Sequence, residues 1–219
     1  MFKQVKESCI FYKARVLNRY IGFVFGLMVL GFTSAGLQAA PLTILIDPGH
    51  GGKDPGAVSH GIYESHVNLS IAKEVGRRLN AYGYRVAYTR ESNVYLSPAK
   101  RASIAKRYQR ALVISIHCNG SRFSSSRGVE TYSCANYGSA SHTLATKLQS
   151  RLVKLGLFKN RGVKRGNFAV LREHQHPSAL VECGFISNTY DRAKLKSKTY
   201  QKRIAEAIAQ GIRDAALKR

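Results

Sequence analysis

Residues 42–52, LTILIDPGHGG, decide how the chain is read. Leu42, Ile44, Leu45 and Ile46 make a short apolar run, of the length and continuity expected of a strand covered on both faces in a parallel sheet. Asp47-Pro48-Gly49 must end it. Pro48 has no N–H to donate to a ladder, and the glycines at 49, 51 and 52 permit turns that other residues resist. His50 therefore stands on a loop just past a strand's carboxyl end, which is where open α/β sheets bind ligands.

Working outward, the same pattern recurs. Leu112–Ile116 (LVISI) runs into His117-Cys118-Asn119-Gly120, and Ala179–Val181 runs into Glu182-Cys183-Gly184. Between the apolar runs the period changes. Val67, Ile71, Ala72, Val75 and Leu79 follow helical spacing from about Tyr63, Glu64 sits in the first turn, where an acid complements the helix dipole, and Gly83 is a stop. Arg85–Thr89 reads as a strand, and Ser97 with Pro98 opens a basic helix through Tyr108. Strands are expected at Val129–Cys134 and Phe168–Leu171, and helices at Leu144–Leu155 and from about Tyr200 to Leu217. Strands alternating with helices predict an α/β fold: one domain, with a mostly parallel twisted sheet and helices on both faces.

Composition bounds the function. The chain has 219 residues, 44% of them hydrophobic, enough for one sizeable core. The first 39 residues differ from the rest: Lys3, Lys6, Lys13, Arg15 and Arg19 precede an apolar run from Tyr20 to Phe32, and small residues lead to Ala39-Ala40. That is the three-part pattern of a secretory signal peptide; the competing reading is a retained membrane anchor, for which the run is short. Cleavage near Ala39 leaves a domain of residues 40–219, with no length for a separate wall-binding module. Residues 1–39 carry five Lys/Arg and one Glu, so +19 of the +23 formal charge falls on that domain. Such a charge suits an anionic wall polymer or membrane surface. Export argues against nucleic acid. Cys118, Cys134 and Cys183 then remain, an odd count that allows one disulfide and a thiol, or three buried thiols.

His50, His117 and Glu182 all follow strands. If those strands are neighbours, the three share one edge, and two imidazoles with a carboxylate suit zinc with an open coordination position. A metal there lowers the pKa of a bound water and polarises a carbonyl, and a second carboxylate must move the proton. Glu64 and Glu182 are the candidates for the two posts, and spacing does not assign them. His60, His66, His142, His174 and His176 lack this placement and read as loop or helix-face residues. Asp47 is a candidate to orient a ligand from behind, or a simple turn former. Arg172 is a candidate to hold a substrate carboxylate bidentately, or a solvated arginine.

The stretches IDPGHGGKDPGA, ESHVNLSIA, LVISIHCNG, RGVK and ALVECGFISN, in this order over almost all of residues 40–219, resemble the zinc-dependent N-acetylmuramoyl-L-alanine amidases of bacterial cell-wall turnover. The resemblance implies that His50, Glu64 and His117 hold one zinc ion and that Glu182 is the catalytic carboxylate. The implied substrate is peptidoglycan, cut at the amide between the lactyl group of N-acetylmuramic acid and L-alanine, by a monomer exported to the periplasm or cell envelope. No activator protein is identified. Some relatives carry a helical insertion that plugs the zinc site; TYSCANYGSAS, between Val129 and Leu144, is too short for one, so an open site is expected. Cys118 and Cys183 depart from the family pattern and are read as small core residues rather than extra ligands. The rival readings are another zinc peptidase of the cell wall, and a basic wall-binding module without catalysis.

Overall fold

The computed structural model describes residues 40–134 and 138–217. The leader read into residues 1–39 lies outside the described residues. Six strands form one sheet: β1 (Thr43–Pro48), β4 (Arg85–Tyr88), β5 (Ala111–Asn119), β6 (Val129–Cys134), β7 (Asn160–Gly166) and β8 (Ser178–Phe185). Their order is β4-β1-β5-β8-β6-β7, and β2 (Val58–Ser59) and β3 (Ile62–Tyr63) make a separate small ribbon. β4, β1, β5 and β8 run parallel; β6 turns against β8, and β7 runs parallel to β6. The three apolar runs thus lie side by side at the centre as β1, β5 and β8.

Alternation along each strand sorts the two faces. Ile44, Ile46, Leu112, Ile114, Ile116, Ala179 and Val181 enter the main core, with Val67, Ile71, Val75 and Leu79 of α1 (Glu64–Ala81). Leu144, Leu148 and Leu152 of α3 (Gly138–Lys154), and Ile204, Ile208 and Ile212 of α6 (Lys198–Ala216), join the same cluster. The opposite face is covered more thinly. Ala105 of α2 (Pro98–Ala105) packs on Leu45 and Val113, and Val170 and Leu171 of α4 (Ala169–Arg172) pack on Leu180. This second face carries Asp47, Ser115, His117, Glu182 and Glu130, the alternate residues of the same strands. Asp47 pairs in register with Ser115, His117 with Glu182, and Glu182 with Glu130.

The chain departs from the sequence-based expectation in several places. The expected strand at Phe168–Leu171 is the short helix α4, and the edge strand is Asn160–Gly166 instead. A four-residue apolar run does not by itself separate strand from helix, and NRGVKRG hides a strand behind charged and glycine residues that suit an edge. A further helix, α5 (Thr189–Lys196), follows Asn188, whose Oδ1 accepts from the N–H groups of Tyr190 and Asp191. The helix expected at Leu144 begins at Gly138. Finally, β5 and β8 continue past their apolar runs, so His117 and Glu182 are strand residues aimed by the pleat and not loop residues. Among the described residues, no helix is long and apolar enough to cross a membrane.

Candidate metal centre

The site begins below the sheet's carboxyl edge, with Asp47. Its carboxylate is fully buried and accepts from Thr89 Oγ1 at 2.5 Å, Ser115 Oγ at 2.6 Å and Arg101 Nη1 at 2.8 Å. Burial alone would raise its pKa, but the Arg101 guanidinium and the two hydroxyls hold it below the usual carboxylate value. Arg101 reaches on to Pro48 O and His50 O at 2.6 and 2.7 Å, and Arg90 donates to Pro48 O, Gly49 O and Ser65 O, each at 2.9 Å. Asp47 therefore shapes the His50 loop through Arg101, and touches no imidazole.

His50 leaves that loop with φ 58°, a left-handed conformation uncommon outside glycine. Its Nδ1 pairs with Asp54 Oδ2 at 2.8 Å, which leaves Nε2 facing Glu64 Oε1 at 3.2 Å. Glu64 is the first residue of α1, buried where an acid suits the helix dipole. Its Oε1 also meets His117 Nδ1 at 3.0 Å and accepts from the Cys118 N–H and Asn68 Nδ2, while Oε2 accepts from the Ala57 N–H at 2.8 Å. Close approach explains one glycine: a Cβ on Gly49 would sit 2.2 Å from the His117 ring.

Among the described residues, His50, Glu64 and His117 form the one group of ligating side chains able to share a metal, with ligand atoms within 4.8 Å of one another. The electrostatics fit a cation. Burial opposes charge on the imidazoles, yet Glu64 and Asp54 push His50 up to about 9, and Glu64 likewise raises His117. Burial opposes charge on Glu64 too, but the two imidazoles hold its carboxyl well below the usual range. The same arrangement that attracts protons to the imidazoles would favour a metal ion in their place.

Glu182 is the fourth member. It stands beside His117 in register, and its Oε2 is buried without a hydrogen-bond partner. Burial pushes its pKa up to about 7; the histidines oppose that shift, and Glu64 and Glu130 add to it. One cavity of about 510 Å³ has His50, His117 and Glu182 in its lining, with Tyr95 and Phe168 on its walls. The side chains of His50 and His117 stay 26% and 18% exposed, so the cluster opens to solvent.

The other candidates fall elsewhere. Arg172 lines a different, larger depression of about 670 Å³ with Lys106 and His174, and donates to Asn167 O and Glu173 Oε1. That depression holds none of the metal cluster. His174 is buried against Val170 O, and His66 faces Asn93 and Tyr63, away from the ligand group. Cys118, Cys134 and Cys183 are free and buried, and burial beside Cys183 raises the Cys118 thiol well above its ordinary value. Sequence reasoning missed Asp54, Asn68 and Arg90. A carboxylate in the K-D-P-G turn after His50 was the available signal for the first.

Two histidines and two carboxylates gathered at the carboxyl edge of a mostly parallel sheet define a candidate metal-dependent hydrolase. The family model described as N-acetylmuramoyl-L-alanine amidase matches residues 44–214, and the chain belongs to that family. It is 41% identical over 170 residues to the N-acetylmuramoyl-L-alanine amidase LytC of Bacillus subtilis, covering 77% of this chain but 34% of LytC. It is 40% identical over 171 residues to the B. subtilis protein YqiI, described only as uncharacterized, covering 78% of this chain and 82% of that one. The crystal structure of an N-acetylmuramoyl-L-alanine amidase from Clostridium difficile 630 superposes with a TM-score of 0.79 at 33% identity, covering 83% of this chain and all of that one. The chain thus spans about a third of LytC's length.

Proposed function

We propose that the chain hydrolyses peptidoglycan at the amide between the lactyl group of N-acetylmuramic acid and the L-alanine of the stem peptide. One observation carries the reading: Glu182, whose Oε2 has no hydrogen-bond partner, stands beside His117 in register and lines the same cavity as His50. His50, Glu64 and His117 would hold a zinc ion, whose donor set of two imidazoles and one carboxylate they match. When bound, zinc supplies a Lewis acid that acidifies water and polarises the substrate carbonyl. Glu182 does the proton work. Its carboxylate takes the proton of the attacking water and returns it to the departing amide nitrogen. Burial raises its pKa in the metal-free protein, the direction that helps a carboxyl hold a proton as well as accept one. Asp54 keeps the His50 Nδ1 proton in place so that Nε2 presents its lone pair to the cation.

We also propose that residues 1–39 are an export signal, removed to leave the catalytic domain, and that the basic domain works against an anionic envelope as a monomer with no activator yet assigned. The test is mass spectrometry of purified peptidoglycan treated with the protein, beside Glu182→Gln and a chelated sample. Free stem peptides beginning at L-alanine, absent from both controls, are expected. Cuts inside the peptide would replace the amidase by a peptidase on the same site.

A further inference from the structure

The row of side chains that includes Glu182 does not stop there. On the second face it runs His117 on β5, Glu182 on β8 and Glu130 on β6, and Glu130 in turn bonds Arg161 and Lys164 of β7. Glu130 is almost fully buried and carries four partners. Asn119 Nδ2 and Tyr132 OH donate to Oε1 at 2.9 and 2.8 Å, and Arg161 Nε and Lys164 Nζ both donate to Oε2 at 2.6 Å. The register slips between Val129 and Thr131, which sets Arg161 and Gly162 together against Glu130; such an irregularity re-aims a side chain. Two cations on one carboxylate leave a net positive charge, and the Arg161 and Lys164 side chains remain 31% and 38% exposed.

We propose that Arg161 and Lys164, fixed in place by Glu130, form a subsite for a carboxylate on the peptide that the reaction releases. This rests on the amidase reading, and the direction follows from its chemistry. The scissile carbonyl must lie over the His50–Glu64–His117 group, while the departing nitrogen must lie at Glu182, which protonates it. Continuing that vector past Glu182 carries the peptide over β6 and β7, toward the two cations. Strands are spaced by about 4.8 Å, so β7 lies roughly 10 Å from β8 across the sheet. An extended peptide covers that in about three residues. The carboxylate that the subsite accepts therefore belongs to the second or third residue after the cut. Arg161 uses only its Nε–H on Glu130 and sits over the Phe185 ring, which holds the guanidinium plane in place.

The test uses N-acetylmuramoyl-L-alanyl peptides in matched pairs, with a carboxylate or a carboxamide at the second residue in one pair and at the third in another. The wild-type protein is expected to prefer one carboxylate form by about tenfold in kcat/KM, chiefly through KM, and less at high salt. Lys164→Gln and Arg161→Gln bring the acid-to-amide ratio close to one, and Lys164→Arg restores it. Equal rates on acid and amide with the wild type, or an unchanged ratio in both Gln variants, would overturn the proposal. If neither form is cleaved, the amidase reading fails, and calorimetry with the free alanyl peptides still decides the subsite. The acidic peptide should bind the wild type about tenfold tighter than its amide, and Lys164→Gln should lose that difference. Equal binding would overturn it.

Discussion

His50 holds φ 58°, a conformation that costs a non-glycine residue about 1–2 kcal/mol. What compensates is local: Asp54 grips its Nδ1, and Arg101 grips its carbonyl. Asp54→Ala frees the ring to turn, and metal affinity should fall roughly 10- to 100-fold, measured by competition with a chromophoric chelator. An unchanged affinity would remove Asp54 from the site. Glu182 makes a different prediction. Its folded pKa of about 7 lies above the 4.5 of an ordinary glutamate, so folding takes up a proton between those values. In metal-free protein this contribution is present below pH 4.5 and lost as pH rises through 7. Glu182→Gln mimics the protonated form. It should abolish turnover while making the metal-free protein about 1–3 kcal/mol more stable than the wild type above pH 7, a gap that closes in acid. Denaturant melts at pH 4.5 and 8 would show it.

At the level of elements, the ion pair between Arg101 of α2 and Asp47 of β1 ties a helix to the strand that precedes the His50 loop. Both groups are almost wholly buried, so Arg101→Met leaves Asp47 charged without its partner and should cost about 3–5 kcal/mol, read as a lowered denaturant midpoint at unchanged slope. The three central strands and the two long helices α1 and α6 were legible because apolar period and turn residues agree in them. The carboxylates were legible as a pair; spacing left their roles open, the family resemblance gave Glu64 to the metal and Glu182 to catalysis, and in the fold Glu64 lies between the two imidazoles with Glu182 beside His117. Arg172 could not be judged from its position after an apolar run, because FAVL turned out to be a helix pointing it elsewhere. The β7 edge was hidden for a related reason. Its residues answer to Glu130 across the sheet, a contact about thirty positions away in sequence that no local pattern records.

Taken whole, the molecule hangs its ligand group on three elements: the loop after β1, the start of α1, and β5. A bound metal would therefore add a crosslink to segments already joined by the β1–β5 ladder and by the hydrogen bonds of Glu64. Removing it should lower the thermal midpoint, and titrating zinc back to 100-fold above its dissociation constant should return about 2.7 kcal/mol, by calorimetry or thermal melts. A midpoint insensitive to chelator would mean that no metal binds the folded state. The strand order has a consequence for when the site comes into being. β5 finds one neighbour, β1, early in the chain, but its other neighbour is β8, which starts only at Ser178. A ribosome that has emitted residues up to 170 has already made His50, Glu64 and His117, the side chains proposed to hold the cation, but not Glu182, the one proposed to move the proton. On the proposed reading, chain growth separates capture from cleavage, because Glu182 arrives only with β8, the strand that joins β5 to β6.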